Sequence, residues 1–378
     1  MRTFPRKKLT LGLGIGLEIG MVLSCANAWP ASSLEIYGFA QLDYIQDYRR
    51  IDPVWADTLR PSTIPTNAGQ FGSNGQAILN VRQSRLGING NKDHLTTKLE
   101  VDFFGVGPSA GQTAIQLRHA YGQWGQWLGG QTFSLFMDHD FFPDVIDYWG
   151  PCGMVLLFNP QIRWTPINGD FSFAVAIEMP HGNVRSSKKL PDLTAQVRRN
   201  SSWGYLRLSG ILRRVGFETL GTPTNEPSEG QVGGGLNLSS GLILSEPNKL
   251  ILAGVYGYGI ASYLNDGGTD LVPGGAPSFL NSSVIPIFGA TVYDNHVWNN
   301  QFSSSFGYSR TQVRNSAFQA ASSFHRGDYA SVNLLYRPAK NLLTGVELLW
   351  GLHEDSSGNV GTDVRSQVSF RYSFSSQE

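Results

Sequence analysis

The sequence predicts an all-β fold: a 16-stranded antiparallel transmembrane β-barrel with an inward-folded third extracellular loop. Three observations carry this expectation. The N-terminus reads as an export signal with no later apolar run long enough for a membrane helix. Apolar and polar residues alternate at period two along nearly the whole chain, and the connections alternate between short and long.

Export comes first. Arg2, Arg6, Lys7 and Lys8 precede an apolar stretch from Leu9 to Leu23 that ends in Ala26-Asn27-Ala28, so residues 1–28 are read as a signal peptide and residues 29–378 as the barrel domain. The stretch is broken by Gly12, Gly14, Gly16, Glu18 and Gly20, and it is shorter than the roughly 20 apolar residues of a spanning helix. A lipoprotein site at Cys25 would want a small residue where Leu23 stands. Without residues 1–28 the chain keeps 25 basic and 28 acidic residues, a net charge of −3, so no basic surface for nucleic acid is expected. One cysteine remains, Cys152, which excludes an intramolecular disulfide and reads as a buried or loop thiol. An exported chain without a membrane helix is either a soluble periplasmic protein or a closed barrel. The 44 glycines, 12% aromatic residues and only 15% charged residues lean toward the barrel.

Strand signals then follow in order. They fall near 34–47, 78–90, 94–104, 113–124, 126–132, 159–167, 171–179 and 190–199. A second eight fall near 203–215, 231–244, 249–261, 286–298, 301–313, 325–338, 342–353 and 361–374. In the third, Leu95, Thr97, Leu99, Val101 and Phe103 share one face, and Thr96, Lys98, Glu100 and Asp102 the other. In the last, Val364, Val368, Phe370, Tyr372 and Phe374 oppose Arg365, Gln367, Ser369 and Arg371. Short connections such as Asn89 to Asp93, Gly125, Asn168 to Asp170 and Asn299 to Asn300 alternate with long ones near 48–77, 105–112, 133–158, 180–189, 216–230, 262–285, 314–324 and 354–360. Short periplasmic turns, long outer loops and an even strand count are what an outer-membrane barrel requires, whereas a soluble sandwich has no reason for strict alternation. Aromatic residues near strand ends, among them Tyr44, Tyr121, Trp164, Trp203, Tyr256, Trp298 and Tyr372, suit the two membrane interfaces.

If the apolar set faces lipid, parity sends Arg118, Arg163, Arg198, Arg207, Arg213, Arg337, Arg365 and Arg371 to the lumen. Arg82 and Arg85 have opposite parity; without a bulge at most one points inward, and Arg85 is preferred. The third long connection, 133–158, holds Phe136, Phe141, Phe142, Tyr148, Trp149, Val155 and Leu156 together with Asp138, Asp140, Asp144 and Asp147. So many apolar residues suit a loop folded into the lumen, where its carboxylates would face an arginine wall across a narrow eyelet. A duller alternative stands beside this: each arginine simply pairs with a lumenal carboxylate such as Glu100, Asp102, Glu178 or Glu347. The strand at 250–260 breaks the pattern, because Ile251, Ala253 and Val255 would face a polar lumen.

The segments EIYGFAQLDYIQDY (35–48), VRQSRLGING (81–90), AGQTAIQLRHAYGQWGQWLGGQT (110–132), FPDVIDYWGP (142–151) and NPQIRWTPI (159–167) resemble the DcaP-like trimeric outer-membrane porins; later segments resemble the family mainly in strand pattern. The resemblance implies a homotrimer in the outer membrane of a Gram-negative bacterium, in contact with outer-membrane lipids. It also implies passive uptake of small anionic solutes such as dicarboxylates. Two departures are visible. Few residues lie between Trp29 and the first strand, where some members carry a helical extension, and Ser375 to Glu378 follow Phe374, where the family's last strand ends on an aromatic residue. Against a channel stands a barrel enzyme, a lipase or protease; its support is a supply of serines and seven histidines, of which His119 is placed on the lipid side and His94, His139 and His181 at turns or loops. The chain is too short for a 22-stranded plugged transporter. Neither a metal cluster nor a cofactor motif stands out, and no cofactor is expected.

Overall fold

The computed structural model describes residues 33–180, 190–245, 247–274 and 281–377; the expected signal peptide, residues 1–28, and His181 lie outside the described residues. Sixteen antiparallel strands close a barrel. They are β1 (Ser33–Asp47), β2 (Gln76–Asn80 and Arg85–Lys92), β3 (Leu95–Asp102), β4 (Gln116–Trp124), β5 (Trp127–Phe133), β6 (Phe158–Ile167), β7 (Phe171–Glu178) and β8 (Asp192–Ser201). The second half holds β9 (Gly204–Glu218), β10 (Ser228–Ser245), β11 (Asn248–Tyr258), β12 (Pro286–Val297), β13 (Phe302–Val313), β14 (Phe324–Ala339), β15 (Leu342–Asp355) and β16 (Val360–Ser375). Each strand pairs with its sequence neighbours, and β1 closes on β16 from Tyr37 opposite Ser375 to Asp47 opposite Arg365. The expected sixteen strands are all present, their ends displaced by a few residues. Two short paired strands, Leu271–Pro273 and Ser282–Val284, lie outside the barrel in the sixth long loop.

Period-two alternation decides which side each residue faces. In β9, Leu206, Leu208 and Leu212 are exposed on the outer wall, whereas Arg207, Ser209 and Arg213 are buried within. Exposed Leu79, Ile162, Leu236, Phe306, Val346 and Phe370 extend this apolar exterior around the cylinder. An apolar surface of that extent is stable only against lipid or another protein.

Two local irregularities change the expected parity. Asp43 of β1 faces Asn80, but Phe39 faces Arg85, so four steps along β1 match five along β2. That extra residue interrupts β2 and turns both Arg82 and Arg85 inward, Arg82 onto Asp57 and Arg85 toward Glu100. Between β3 and β4, Glu100 faces His119 while Val101 faces Leu117, which leaves Arg118 as the bulged residue. His119 was expected on the lipid side; the bulge carries it inside, where it is 5% exposed and its Nδ1 shares a 2.9 Å hydrogen bond with Thr132.

The lumen contains an apolar core made by loops. Phe136, Met137 and Val155 of the third loop pack with Val255 and Ile287 of the wall, and Phe141, Cys152 and Met154 pack with Ile251, Tyr293 and Tyr329. This accounts for the apolar inner face of β11: Ile251 and Val255 receive the third loop. Gly153 makes the approach possible, since a Cβ there would land on the carbonyl oxygens of Ala290 and Arg310. Its N–H donates to Ser309 Oγ at 2.8 Å. The first loop, expected to lie outside, also folds inward, burying Ile51, Leu59 and Ile64 in the same core.

Candidate functional site: an arginine-lined lumen

Three loops interlock across the barrel. Asp147 of the third loop accepts Thr58 Oγ1 at 2.9 Å and the Leu59 N–H at 3.0 Å from the first loop, and also the Gly150 N–H at 3.1 Å. Asn265 of the sixth loop donates to the carbonyls of Trp149 (2.6 Å) and Pro151 (2.9 Å), and the Trp149 indole donates to the Asn265 carbonyl at 2.8 Å. Burial pushes the Asp147 carboxyl up to about 6 against these donors. The same burial pushes the Cys152 thiol up to about 12.

Between these loops and the wall formed by β2, β4 and β16 lies a cavity of about 720 Å³. Arg85, Arg118 and Arg371 line it from the wall and Arg60 lines it from the first loop, with Phe133, Phe142, Leu156 and Phe158 supplying apolar surface. A second cavity of about 550 Å³, bordered by the short turn at Asn168 and Gly169, is lined by Lys98, Arg163, Arg198 and Arg207. A third, of about 90 Å³, holds Arg337, Arg371 and Asp144.

The nine arginines expected in the lumen divide by partner. Arg118 donates to Glu100 at 3.0 Å and Asp102 at 2.9 Å, and Tyr148 of the third loop joins Asp102 at 2.8 Å. Arg213 lies between Asp192 (3.2 Å) and Asp270 (3.5 Å), and Arg365 between Asp47 and Asp363, both at 2.8 Å. Arg198 pairs with Asp140, Arg207 with Asp138 at 3.4 Å, and Arg85 with Glu100 at 3.5 Å. The other three meet neutral groups: Arg163 donates to Gln161 (2.9 Å) and the Phe133 carbonyl (2.7 Å), Arg337 to Ser303 (2.9 Å), and Arg371 to Gln41 (2.7 Å). Among the described residues, these three have no carboxylate within ion-pair distance.

The four aspartates of the third loop divide as well. Asp138 and Asp147 are buried; Asp138 accepts Ser239 Oγ at 2.6 Å. Asp140 is partly exposed beside Arg198, and Asp144 is exposed. Asp138, His139 and Asp140 bring three ligand-type atoms within 4.8 Å, but Arg198 and Arg207 already hold the carboxylates, which disfavours a divalent cation.

Parity did not identify Arg60. Its guanidinium lies over the rings of Trp55 at 4.3 Å and Trp149 at 4.8 Å, and Nη2 meets Asp266 at 3.0 Å. The signal available in the sequence was the apolar set Ile51, Trp55, Leu59 and Ile64, the same kind of set that marked the third loop as inward-folding.

A closed outer-membrane barrel with a loop-narrowed, arginine-lined lumen defines a porin, a channel of the Gram-negative outer membrane. The family model "DcaP outer membrane protein" matches residues 32–374, and the chain belongs to that family. The outer membrane channel DcaP of Acinetobacter baumannii superposes with a TM-score of 0.78 at 21% identity, covering 90% of this chain and 97% of that one. The anion-selective porin from Comamonas acidovorans superposes with a TM-score of 0.59 at 10% identity, covering 90% and 99%. OmpT of Vibrio cholerae, in its trimer form, gives 0.56 at 11% identity, also covering 90% and 99%. Curated proteins gave no match.

Proposed function

We propose that this porin prefers anions and admits small organic anions, dicarboxylates among them, by passive diffusion. The observation that carries this reading is the unneutralised lumenal charge. Among the described residues, Arg163, Arg337 and Arg371 hydrogen-bond only to neutral groups, while two of the third loop's four carboxylates, Asp138 and Asp147, are buried and engaged. Excess fixed positive charge beside apolar surface raises the local concentration of anions, and the forked guanidinium matches a carboxylate. The Comamonas neighbour is itself described as anion-selective. Solute-driven swelling of proteoliposomes tests the reading. Succinate is expected to enter faster than a neutral sugar of similar size; equal rates, or faster entry of an organic cation, would contradict it.

The same proposal includes a homotrimer. It is supported by the trimer form of the Vibrio cholerae neighbour and by the short wall on one side of this barrel. β3 has 8 residues and β5 has 7, against 18 in β10. A strand of that shorter length tilted at about 45° rises about 19 Å, less than the roughly 25 Å apolar band, so this arc is suited to cover by a neighbouring subunit. Chemical cross-linking in membranes is expected to give a three-chain band, and a purely monomeric pattern would oppose it.

A further inference from the structure

We propose that Arg60, on the first loop, is a solute-binding residue: it takes a carboxylate of the passing anion in exchange for Asp266, its resident partner. This inference rests on the anion-porin reading above and names a residue of its binding site.

The two tryptophan rings fix the plane of the Arg60 guanidinium, so its donors are held in one orientation at the edge of the 720 Å³ cavity. Among the described residues, the one hydrogen bond from its five N–H donors is Nη2 to Asp266, and Nε is buried without a partner. Asp266 is satisfied without Arg60, because Ser62 donates to it from its N–H at 2.7 Å and also from its hydroxyl. Exchange therefore leaves Asp266 hydrogen-bonded.

The opposite wall is equally open to an acceptor. The Arg85 side chain makes no hydrogen bond among the described residues; its Nε is buried and unpartnered, and Glu100 lies at 3.5 Å. Arg371 uses Nε on the neutral Gln41. A solute with two anionic ends can thus meet guanidinium groups on both sides of one cavity, beside apolar surface that weakens screening.

A plain strut between the first and sixth loops is the competing role, and the two differ in sign. A strut loses the same bridge in Arg60→Gln and in Asp266→Asn, so both variants would shift in one direction. A binding residue is weakened by the first change and released from its competitor by the second. The experiment is block of the potassium chloride current by added potassium succinate in planar bilayers. Expected is a half-blocking concentration about tenfold higher in Arg60→Gln and about threefold lower in Asp266→Asn. Arg60→Lys, which keeps the charge and loses the fork, is expected between wild type and Arg60→Gln. If one variant does not insert, the other together with Arg60→Lys decides. Shifts in the same direction, or an Arg60→Gln value equal to wild type, would overturn the assignment. The zero-current potential of the wild-type channel, read in the same membranes, separates the two levels. An anion-selective wild type with an unmoved Arg60→Gln overturns Arg60 alone; a cation-selective wild type overturns the anion-preference reading and this residue with it.

Discussion

Glu347 of β15 fixes one end of the third loop, and its removal is expected to free that loop. The side chain is 1% exposed, and its Oε2 accepts the N–H of Ile146 and, at 3.2 Å, that of Asp147. Among the described residues its Oε1 has no hydrogen-bond partner. Glu347→Ala would leave two buried backbone donors unsatisfied, at about 1–3 kcal/mol each. Other anchors remain, among them Asn333 donating to the Asp144 carbonyl at 2.6 Å, so about 3 kcal/mol is a fair net loss for the docked loop. That lowers the docked-to-undocked ratio by about 150-fold. Glu347→Gln is the control. Its amide oxygen can sit where Oε2 does, which keeps both bonds to the loop backbone. Limited chymotrypsin digestion of the reconstituted protein reads the difference, because Phe141, Phe142, Tyr148 and Trp149 are available only when the loop leaves the wall. Cleavage within 141–149 is expected about tenfold faster or more in Glu347→Ala, with Glu347→Gln as resistant as wild type. An alanine variant as resistant as wild type would refute the anchoring role.

Cys152 is fully buried against the carbonyls of Ser309 and Gly327, with its thiol pushed up to about 12, so a maleimide is expected to label it only after denaturation. Rapid labelling of the folded protein would show that the third loop is not docked. Gly153→Ala is expected to cost about 1–3 kcal/mol of stability by overpacking against Ala290 and Arg310, read as a lower thermal unfolding temperature. Arg371→Gln and Arg365→Gln should differ in kind. Arg371 donates to the neutral Gln41 and has no carboxylate within ion-pair distance among the described residues, so its loss is expected to reduce anion preference. Arg365 lies buried between Asp47 and Asp363, so its loss is expected to cost about 3–5 kcal/mol of stability by stranding two carboxylates. Equal effects of the two on selectivity would contradict this division.

The barrel was legible because a period of two is a property of the backbone alone: Leu206, Arg207 and Leu208 declare their sides wherever the strand sits. What escaped depends on contacts between distant segments. The extra residue between Asn80 and Arg85 and the bulge at Arg118 each reverse parity downstream, and nothing local marks them, which is why His119 was expected on the wrong face. Ile251 and Val255 looked like exceptions to a polar lumen until the third loop was seen to cover them. Parity could place the arginines but not their partners. That Arg365 is neutralised by Asp47 and Asp363 while Arg371 is not follows from the closure of β1 on β16, a contact across the length of the chain.

The sign of the zero-current potential across a planar bilayer under a potassium chloride gradient tests anion preference most directly. With the wild-type channel the potential is expected to carry the sign set by chloride movement, and to fall toward zero as Arg163, Arg337 and Arg371 are neutralised together. A potential of the sign set by potassium would contradict the account.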